Sequence, residues 1–171
     1  MAKHTALGFG AGALLRVLAA ILAGTLLLAL AYSIPTEYIE PNAERSALTV
    51  KEEGLNPSVT RHFSCVIDNW TDSTMLLEAI YPGSGNAFRD SMLACRFGSG
   101  SDIPRDVLWQ YFETGEYSGI APYPQYWHGY LVLLKPLLLV TDYAGIRVIN
   151  GVVQALVTAL VCLALWRKGQ R

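Results

Sequence analysis

Two long runs of apolar residues without any charged side chain dominate the hydropathy pattern of this 171-residue chain. The first run covers residues 17–34 and the second covers residues 148–166. A bilayer core of about 30 Å needs about 20 apolar residues in a helix, because each helical residue adds about 1.5 Å. The pattern therefore predicts a mainly α-helical membrane protein with transmembrane helices over residues 17–34 and 146–166.

The chain between these runs predicts a small, mostly helical outer domain. Stretches compatible with helices alternate there with helix breakers. Pro35 precedes the first stretch and Gly54 ends it, Pro82 stops the second, and Gly115 stops the third. Breakers at these positions are typical of helix boundaries. We expect a helical, loop-rich domain over residues 35–127.

A third apolar segment follows this domain but is too short to cross a bilayer. Residues 129–140 span roughly 18 Å as a helix, which is little more than half of the hydrocarbon core. Aromatic residues precede the segment, as is typical of a headgroup boundary, and Pro136 would kink a helix there. We expect an interfacial or shallowly re-entrant helix over residues 128–142, and a helix buried in the outer domain is the alternative.

The placement of charge predicts the orientation of the chain. Lys3 and Arg16 precede the first apolar run, and residues 167–171 are basic. Residues 35–146 carry all fourteen acidic residues of the chain against seven Lys and Arg. Basic flanks stay in the cytoplasm. We therefore expect an integral protein of the cell membrane, with residues 1–16 and 167–171 cytoplasmic and the acidic middle outside.

The N-terminal run also fits a secretory signal peptide, because Ala29 and Ala31 form a pattern that resembles a cleavage site. The run is longer than the usual apolar region of about 7 to 15 residues. This length favours an uncleaved anchor. Both interpretations place the acidic middle segment outside.

The second apolar run carries two stripes that repeat every four residues. Gly151, Ala155 and Ala159 form a stripe of small residues, and Asn150 and Gln154 lie beside it. Small residues allow close helix approach, whereas amides in hydrocarbon are costly without partners. The stripes predict packing against other transmembrane helices, in a second copy, a partner or a longer protein. A hairpin with the first span is the alternative.

The cysteines leave two interpretations open. Cys65 and Cys95 both lie in the outer segment, where an oxidising compartment permits a disulfide. Two buried free thiols are the other interpretation. Cys162 lies in the second apolar run, and no spacing of Cys and His suggests zinc. The sequence also lacks a basic patch and a phosphate-binding loop, so nucleic acid is not an expected partner.

Asp68 and Asp72 are the candidate catalytic and metal-binding residues. On one helix, carboxylates four residues apart share a face about 6 Å from each other. Such a pair can hold a divalent cation such as Mg²⁺ or Mn²⁺, or one member can act as a general base. The alternative is that one of them caps the helix that follows.

Three basic or titratable side chains are candidates for binding a lipid or an acceptor. His128 and Lys135 lie in the short apolar segment, and Arg147 lies at the start of the second span. Their chemistry fits a lipid phosphate. The alternative is that His128 anchors the chain at the interface, while Lys135 and Arg147 extend to the headgroups.

The order of these parts resembles the N-terminal part of type C glycosyltransferases, which are polytopic membrane enzymes that take sugars from polyprenyl-phosphate carriers. It is also similar to uncharacterised bacterial polytopic membrane proteins. After the first span, the segments that carry the resemblance are "DNWTDSTMLLEAI", "YPQYWHGYLVLLKPLLLV" and "IRVINGVVQALVTALV".

The resemblance implies sugar transfer on the outer face. It implies Asp68 as the acidic catalytic residue with Asp72 as its companion, and a lipid and acceptor groove near His128 and Lys135. The family has more spans than the two predicted here, so the chain would be an N-terminal portion that is inactive alone. The alternative is a non-enzymatic two-span protein whose outer domain binds a partner and whose second span mediates assembly.

Overall fold

The computed structural model describes residues 2–62, 65–98 and 102–169 and is mainly helical, as predicted. Its helices are α1 (Ala2–Tyr32), a short 3-10 helix (Thr36–Tyr38), α2 (Glu40–Glu53), α3 (Asn69–Ala79), α4 (Ala87–Leu93), α5 (Pro104–Thr114), α6 (Leu131–Leu138) and α7 (Tyr143–Gly169). Two short strands, β1 (Cys95–Phe97) and β2 (Ile120–Pro122), pair antiparallel with Cys95 opposite Pro122.

By length and composition, two helices are able to cross a membrane. They are Gly10–Tyr32 within α1, with a mean hydropathy of 2.4, and Tyr143–Gly169, with a mean hydropathy of 2.2. Both predicted apolar runs are therefore confirmed as long helices. The first begins earlier than the charge pattern suggests, because α1 is continuous from Ala2.

The outer domain packs around α2, α3 and α5, and the end of α1 enters its core. Leu76 and Leu77 of α3 meet Leu108 of α5 in this core, and all three are fully buried. Leu28 and Ala31 of α1 are also buried, because α1 packs there against α4 and α6. The last turns of α1 are thus part of the outer domain.

Local sequence signals set most of the helix ends. The side chain of Asp68 caps α3, and that of Asn86 caps α4. Pro104 lies at the start of α5, where its missing amide hydrogen costs no helical bond. Gly115 ends α5 with φ 73°, a left-handed conformation that glycine adopts without strain.

Helix α6 is shorter than the helix expected over residues 128–142. Its buried face consists of Leu131, Leu134, Lys135 and Leu138, whereas Leu133 on the other side is exposed. The buried face packs against α1 and α3, as the alternative of a helix within the outer domain requires. The position of Lys135 on that face means that it does not extend to headgroups.

The hairpin alternative for the second apolar run is wrong in this structure. Helix α7 packs against α2 and α6 near its start, and every side chain from residue 148 to residue 169 is exposed. Asn150 and Gln154 are therefore not turned toward α1. The disulfide alternative is not formed either, since Cys65 and Cys95 are free thiols, as is Cys162.

Candidate functional site

Asp68 acts as the N-cap of α3. The Thr71 amide donates to its Oδ1 at 3.1 Å and the Thr71 hydroxyl donates to its Oδ2 at 2.6 Å. The hydroxyl and amide of Thr71 lower the pKa of this carboxyl, because both bonds favour the charged form. In the structure Asp68 therefore caps α3, as the capping alternative states.

Asp72 lies one turn further along α3 and faces a different partner. Arg147 Nη2 donates to Asp72 Oδ2 at 3.3 Å. Burial raises the pKa of Asp72, and the hydrogen bonds from Tyr143 and Arg147 offset this effect only in part. Asp68 and Asp72 thus have separate partners. Within the described ranges, no group of three or more Asp, Glu, His or Cys side chains is placed to hold a metal ion.

Arg147 joins three elements at the start of α7. Its Nη1 donates to both carboxylate oxygens of Glu53, at 2.7 and 2.9 Å, and its Nη2 also donates to Asn69 Oδ1 at 2.8 Å. Asn69 Nδ2 in turn donates to Glu53 Oε2 at 3.0 Å. We call Glu53, Asn69, Asp72 and Arg147 the junction cluster, and it fastens α7 to α2 and α3.

The junction cluster also changes the acidity of Glu53. Partial burial of this carboxylate raises its pKa, but the hydrogen bonds from Arg147 and Asn69 outweigh that effect, so the net pKa is lowered. Because both Nη atoms of Arg147 have acceptors, this guanidinium is committed to the fold, and a free phosphate would have to compete with two carboxylates.

His128 belongs to a second polar group inside the outer domain. Its Nδ1 lies 2.8 Å from Glu78 Oε2, and Tyr130 Oη donates to the same oxygen at 2.5 Å. His128 Nε2 lies 2.6 Å from the backbone carbonyl oxygen of Tyr123. A carbonyl only accepts hydrogen bonds, so Nε2 carries a proton. Nδ1 also lies 3.1 Å from Tyr130 Oη, and it donates to Glu78 Oε2 when the imidazole is protonated.

The electrostatics agree with this assignment. Burial alone would lower the pKa of His128, but the hydrogen bond to Glu78 and the charge of that carboxylate outweigh it, so the net pKa is raised. His128 is not an exposed anchor, because its side chain is 3% exposed. The His128–Glu78 pair instead connects the loop before α6 to α3.

Lys135 lies in the same part of the core. Its side chain is 1% exposed, and among the described residues no carboxylate lies within 4 Å of its ammonium. Burial lowers its pKa to about 8. Two buried oxygens of the described chain, Tyr32 Oη and Glu78 Oε1, also lack a hydrogen-bond partner. We call Tyr32, Glu78, His128, Tyr130 and Lys135 the buried polar cluster.

A pocket of about 390 Å³ opens beside His128 and Tyr130. Aromatic side chains form much of its wall, and the lining comprises Trp70, Thr71, Thr74, Met75, Tyr123, Tyr126, His128 and Tyr130. Thr71 is also the residue that donates to Asp68. Pockets of this kind use apolar walls for contact area and a few polar groups for orientation.

The predicted helix-packing residues all lie on the exposed part of α7. Within the described part of the chain, no other element packs on Gly151, Ala155 and Ala159, because every residue there is exposed. Gln154 Nε2 donates to Asn150 Oδ1 at 3.3 Å within the helix. The two amides therefore satisfy only part of their capacity, which totals four donors and four acceptor sites.

Several residues of both clusters have no signal in the sequence. Glu78 is fifty positions from His128, and Glu53 is ninety-four positions from Arg147. Neither acid belongs to a motif, and each acquires its partner only when the helices pack. Comparison with known proteins adds no assignment: no family model, curated protein or solved structure matches this chain.

Proposed function

We propose that this chain is a two-span membrane module whose second span assembles with further transmembrane helices. The supporting observation is the exposure of α7 over residues 148–169, which includes Asn150 and Gln154. In hydrocarbon, amides with unused donors and acceptors are costly, and a facing helix supplies partners. The small side chains of Gly151, Ala155 and Ala159 let such a helix come close.

The proposal includes an orientation. Residues 1–16 and 167–171 lie in the cytoplasm and residues 35–146 lie outside, as the positions of the basic and acidic residues favour. Single reporter cysteines at Ser84 and Thr141 then react with an impermeant maleimide in intact cells, whereas one at Gln170 does not. Labelling at Gln170 together with Ser84 contradicts the two-span arrangement.

Native Cys162 offers a direct test of self-assembly. It follows Gly151, Ala155 and Ala159 on nearly the same side of the helix, so that two copies packed on this face bring their thiols together. In a background with Cys65 and Cys95 replaced by Ser, oxidation of membranes gives a Cys162-linked dimer. Gly151→Leu with Ala155→Leu should abolish this dimer.

A matched control uses the opposite side of the same helix. Val153→Leu with Val157→Leu enlarges side chains there without filling the small-residue stripe, and should leave the dimer unchanged. Equal loss with both double variants contradicts a specific face. If no dimer forms, crosslinking from Cys162 to another membrane protein, abolished by the same stripe variant, identifies a partner as the source of the helices.

The second candidate function is sugar transfer from a polyprenyl-phosphate donor on the outer face by the completed assembly. The pocket lined by Trp70, Tyr123 and Tyr126 supports this candidate, since aromatic faces pack against the apolar faces of sugar rings. Asp68 would act as the general base or as a cation ligand. The carboxylate accepts a hydrogen bond from Thr71, and Thr71 also lines the pocket, which supports this assignment.

The test of this second function uses membranes that contain the whole assembly. Transfer of labelled sugar from a polyprenyl-phosphate donor is compared between the wild type and Asp68→Asn. Asparagine retains a helix-capping oxygen, so loss of transfer with normal expression and insertion supports the role of Asp68. Transfer that survives this substitution rules out Asp68 as the base, and the assembly function stands independently.

A further inference from the structure

The outer domain contacts α1 at Gly24, eight residues before this helix ends at Tyr32. A β-carbon placed on Gly24 would lie 3.5 Å from Cζ2 of Trp127, so the indole lies against the helix at this glycine. A groove of about 410 Å³ lies at the same level, lined by Val17, Ala20, Ile21, Gly24, Thr25 and Trp127. Trp127 is nevertheless 71% exposed. Trp127 is thus a large apolar side chain on a loop, and it packs against a candidate membrane span.

Helix α4 adds to the same surface. Phe88 and Met92 are 57% and 46% exposed, and residues four apart lie on one side of a helix. Met92 and Trp127 line a common pocket of about 330 Å³ with Thr25 of α1. Tyr126, beside Trp127, is exposed as well. We call Phe88, Met92, Tyr126 and Trp127 the apolar shoulder, because they project beside α1 from the outer domain.

The position of Arg16 gives the depth of this shoulder. Gly24 is eight residues from Arg16 and eight from Tyr32, which is about 12 Å along the helix in each direction. With Arg16 at the inner edge of a hydrocarbon core about 30 Å thick, the outer edge lies beyond Tyr32. The contact between Gly24 and Trp127 is then well inside the core.

The opposite placement is costly. If Lys3 marked the inner edge, Gly24 would lie at the outer edge, but Arg16 would lie roughly 20 Å inside the core. Arg16 is exposed and has no carboxylate within ion-pair distance in the described chain. An unpaired arginine at that depth is expensive. The residues above Arg16, in contrast, are uncharged as far as Ile34.

We infer that the apolar shoulder is immersed in the acyl chains near the middle of the bilayer, so that the outer domain is seated partly in the bilayer instead of above it. The occupant of this surface is membrane lipid, because the surface is apolar, exposed and continuous with a candidate span. The inference rests on the proposed insertion of α1 and α7. It explains why the last turns of α1 are packed by protein although they are as apolar as the rest.

Tryptophan quenching by lipid measures this depth directly. The chain has four tryptophans, and conservative Trp→Phe changes leave single-tryptophan variants at Trp127, Trp109 or Trp166. Each variant is reconstituted in phosphatidylcholine vesicles with a nitroxide either near the headgroup or in the middle of the acyl chain, and separately exposed to aqueous acrylamide. Trp109 lies on α5 beside Lys51 and serves as the control outside the shoulder, while Trp166 near the end of α7 reports insertion.

If the shoulder is immersed, nitroxide lipid should quench Trp127 several-fold more strongly than Trp109. Acrylamide should quench Trp109 more strongly than Trp127. If Trp166 is quenched by nitroxide lipid while Trp127 behaves like Trp109, the shoulder lies above the membrane and the inference is overturned, but the proposed spans stand. If neither Trp127 nor Trp166 is quenched by nitroxide lipid, membrane insertion itself fails, and the inference fails with it.

A second measurement does not depend on tryptophan substitution. In a cysteine-free background, Met92→Cys and the control Val59→Cys each introduce one thiol at an exposed position. An impermeant maleimide should label Val59→Cys and not Met92→Cys in vesicles, and both in mild denaturant. Rapid labelling of Met92→Cys in intact vesicles contradicts immersion.

Discussion

The Nδ1 atom of His128 lies 2.8 Å from Oε2 of Glu78, and the two side chains are 3% and 0% exposed. This buried contact holds the loop before α6 against α3, and Tyr130 adds a hydrogen bond to the same carboxylate oxygen. Removal of one partner of such a pair leaves a buried charge and typically costs about 3 to 5 kcal/mol. Its stability also depends on the protonation of the imidazole.

The pair predicts that the outer domain loses stability as pH rises through the neutral range. The pKa of His128 is raised in the folded state. Its contribution is therefore fully present below the ordinary value of about 6.5 and is lost as pH rises through the raised value. Denaturant unfolding followed by circular dichroism between mildly acid and mildly alkaline pH should show this fall.

The variant His128→Gln should lower stability at acid pH and flatten the pH dependence, because glutamine keeps a donor for Glu78 but does not titrate. A slope that persists in His128→Gln would assign the effect to another group.

Lys135 predicts the opposite dependence at higher pH. Burial lowers its pKa from 10.5 to about 8, so the folded state binds its proton less readily than the unfolded state. Stability should rise as pH increases from about 8 toward 10.5, by up to about 3 kcal/mol. Lys135→Met should remove this rise and stabilise the domain at neutral pH, since it replaces a buried ammonium whose burial is offset only in part by the charge of Asp90.

Thermal unfolding in detergent at several pH values checks the Lys135 prediction. Lys51→Met removes an exposed lysine that lies over the Trp109 ring, and should leave the alkaline rise intact. A Lys135→Met variant that is less stable than the wild type at neutral pH would contradict the prediction and indicate a favourable interaction of the ammonium.

The bonds of Arg147 predict that the junction cluster requires a guanidinium group at this position. It donates to Glu53 with one nitrogen and to Asn69 and Asp72 with the other. Lysine keeps the charge but cannot reproduce this planar set of donors. Arg147→Lys should destabilise the outer domain by roughly 1 to 3 kcal/mol, as measured by denaturant unfolding.

The control for the junction cluster is Arg105→Lys, because Arg105 pairs with the neighbouring Asp106, whose side chain is 55% exposed. An exposed pair of this kind contributes about 0 to 1 kcal/mol, so this substitution should change stability little. Equal effects at both positions would mean that the junction cluster does not fasten α7 more firmly than a surface ion pair.

Two substitutions of Asp68 should separate its role as a helix cap from a role in catalysis. Asp68→Ala should destabilise α3 by about 0.5 to 2 kcal/mol through loss of the cap, whereas Asp68→Asn should keep most of that stability. Helix content and unfolding of the isolated chain measure the first effect. If asparagine destabilises as much as alanine, the charge of Asp68 supports the fold beyond the cap, and an activity assay of Asp68→Asn would need that correction.

Much of the architecture follows from one-dimensional patterns. The uncharged run before Pro35 and the run after Arg147 predict the two long helices, because the length of an apolar segment is a local property. The cap of Asp68 and the stop at Gly115 are local as well, and both lie where the sequence places them. Such local signals can be interpreted without knowing which residues pack together in the folded chain.

The environments of titratable residues follow from packing and were not predictable in the same way. Lys135 next to Pro136 has the appearance of a headgroup ligand, yet α6 turns it into the core. Glu78 acquires importance only because α3 brings it to His128, fifty positions away in the chain. Asp72 is directed to Arg147 by the junction of α3 and α7. Long-range pairing of this kind leaves no periodicity to read.

Helix α7 is a rod of 27 residues held at one end by Arg147. A rod of this length is about 40 Å long, so a tilt of roughly 10° about the held end moves the other end by about 7 Å. The junction cluster therefore fixes the end about which α7 would tilt. Sideways displacement of the far end of α7 would strain the bonds from Arg147 to α2 and α3.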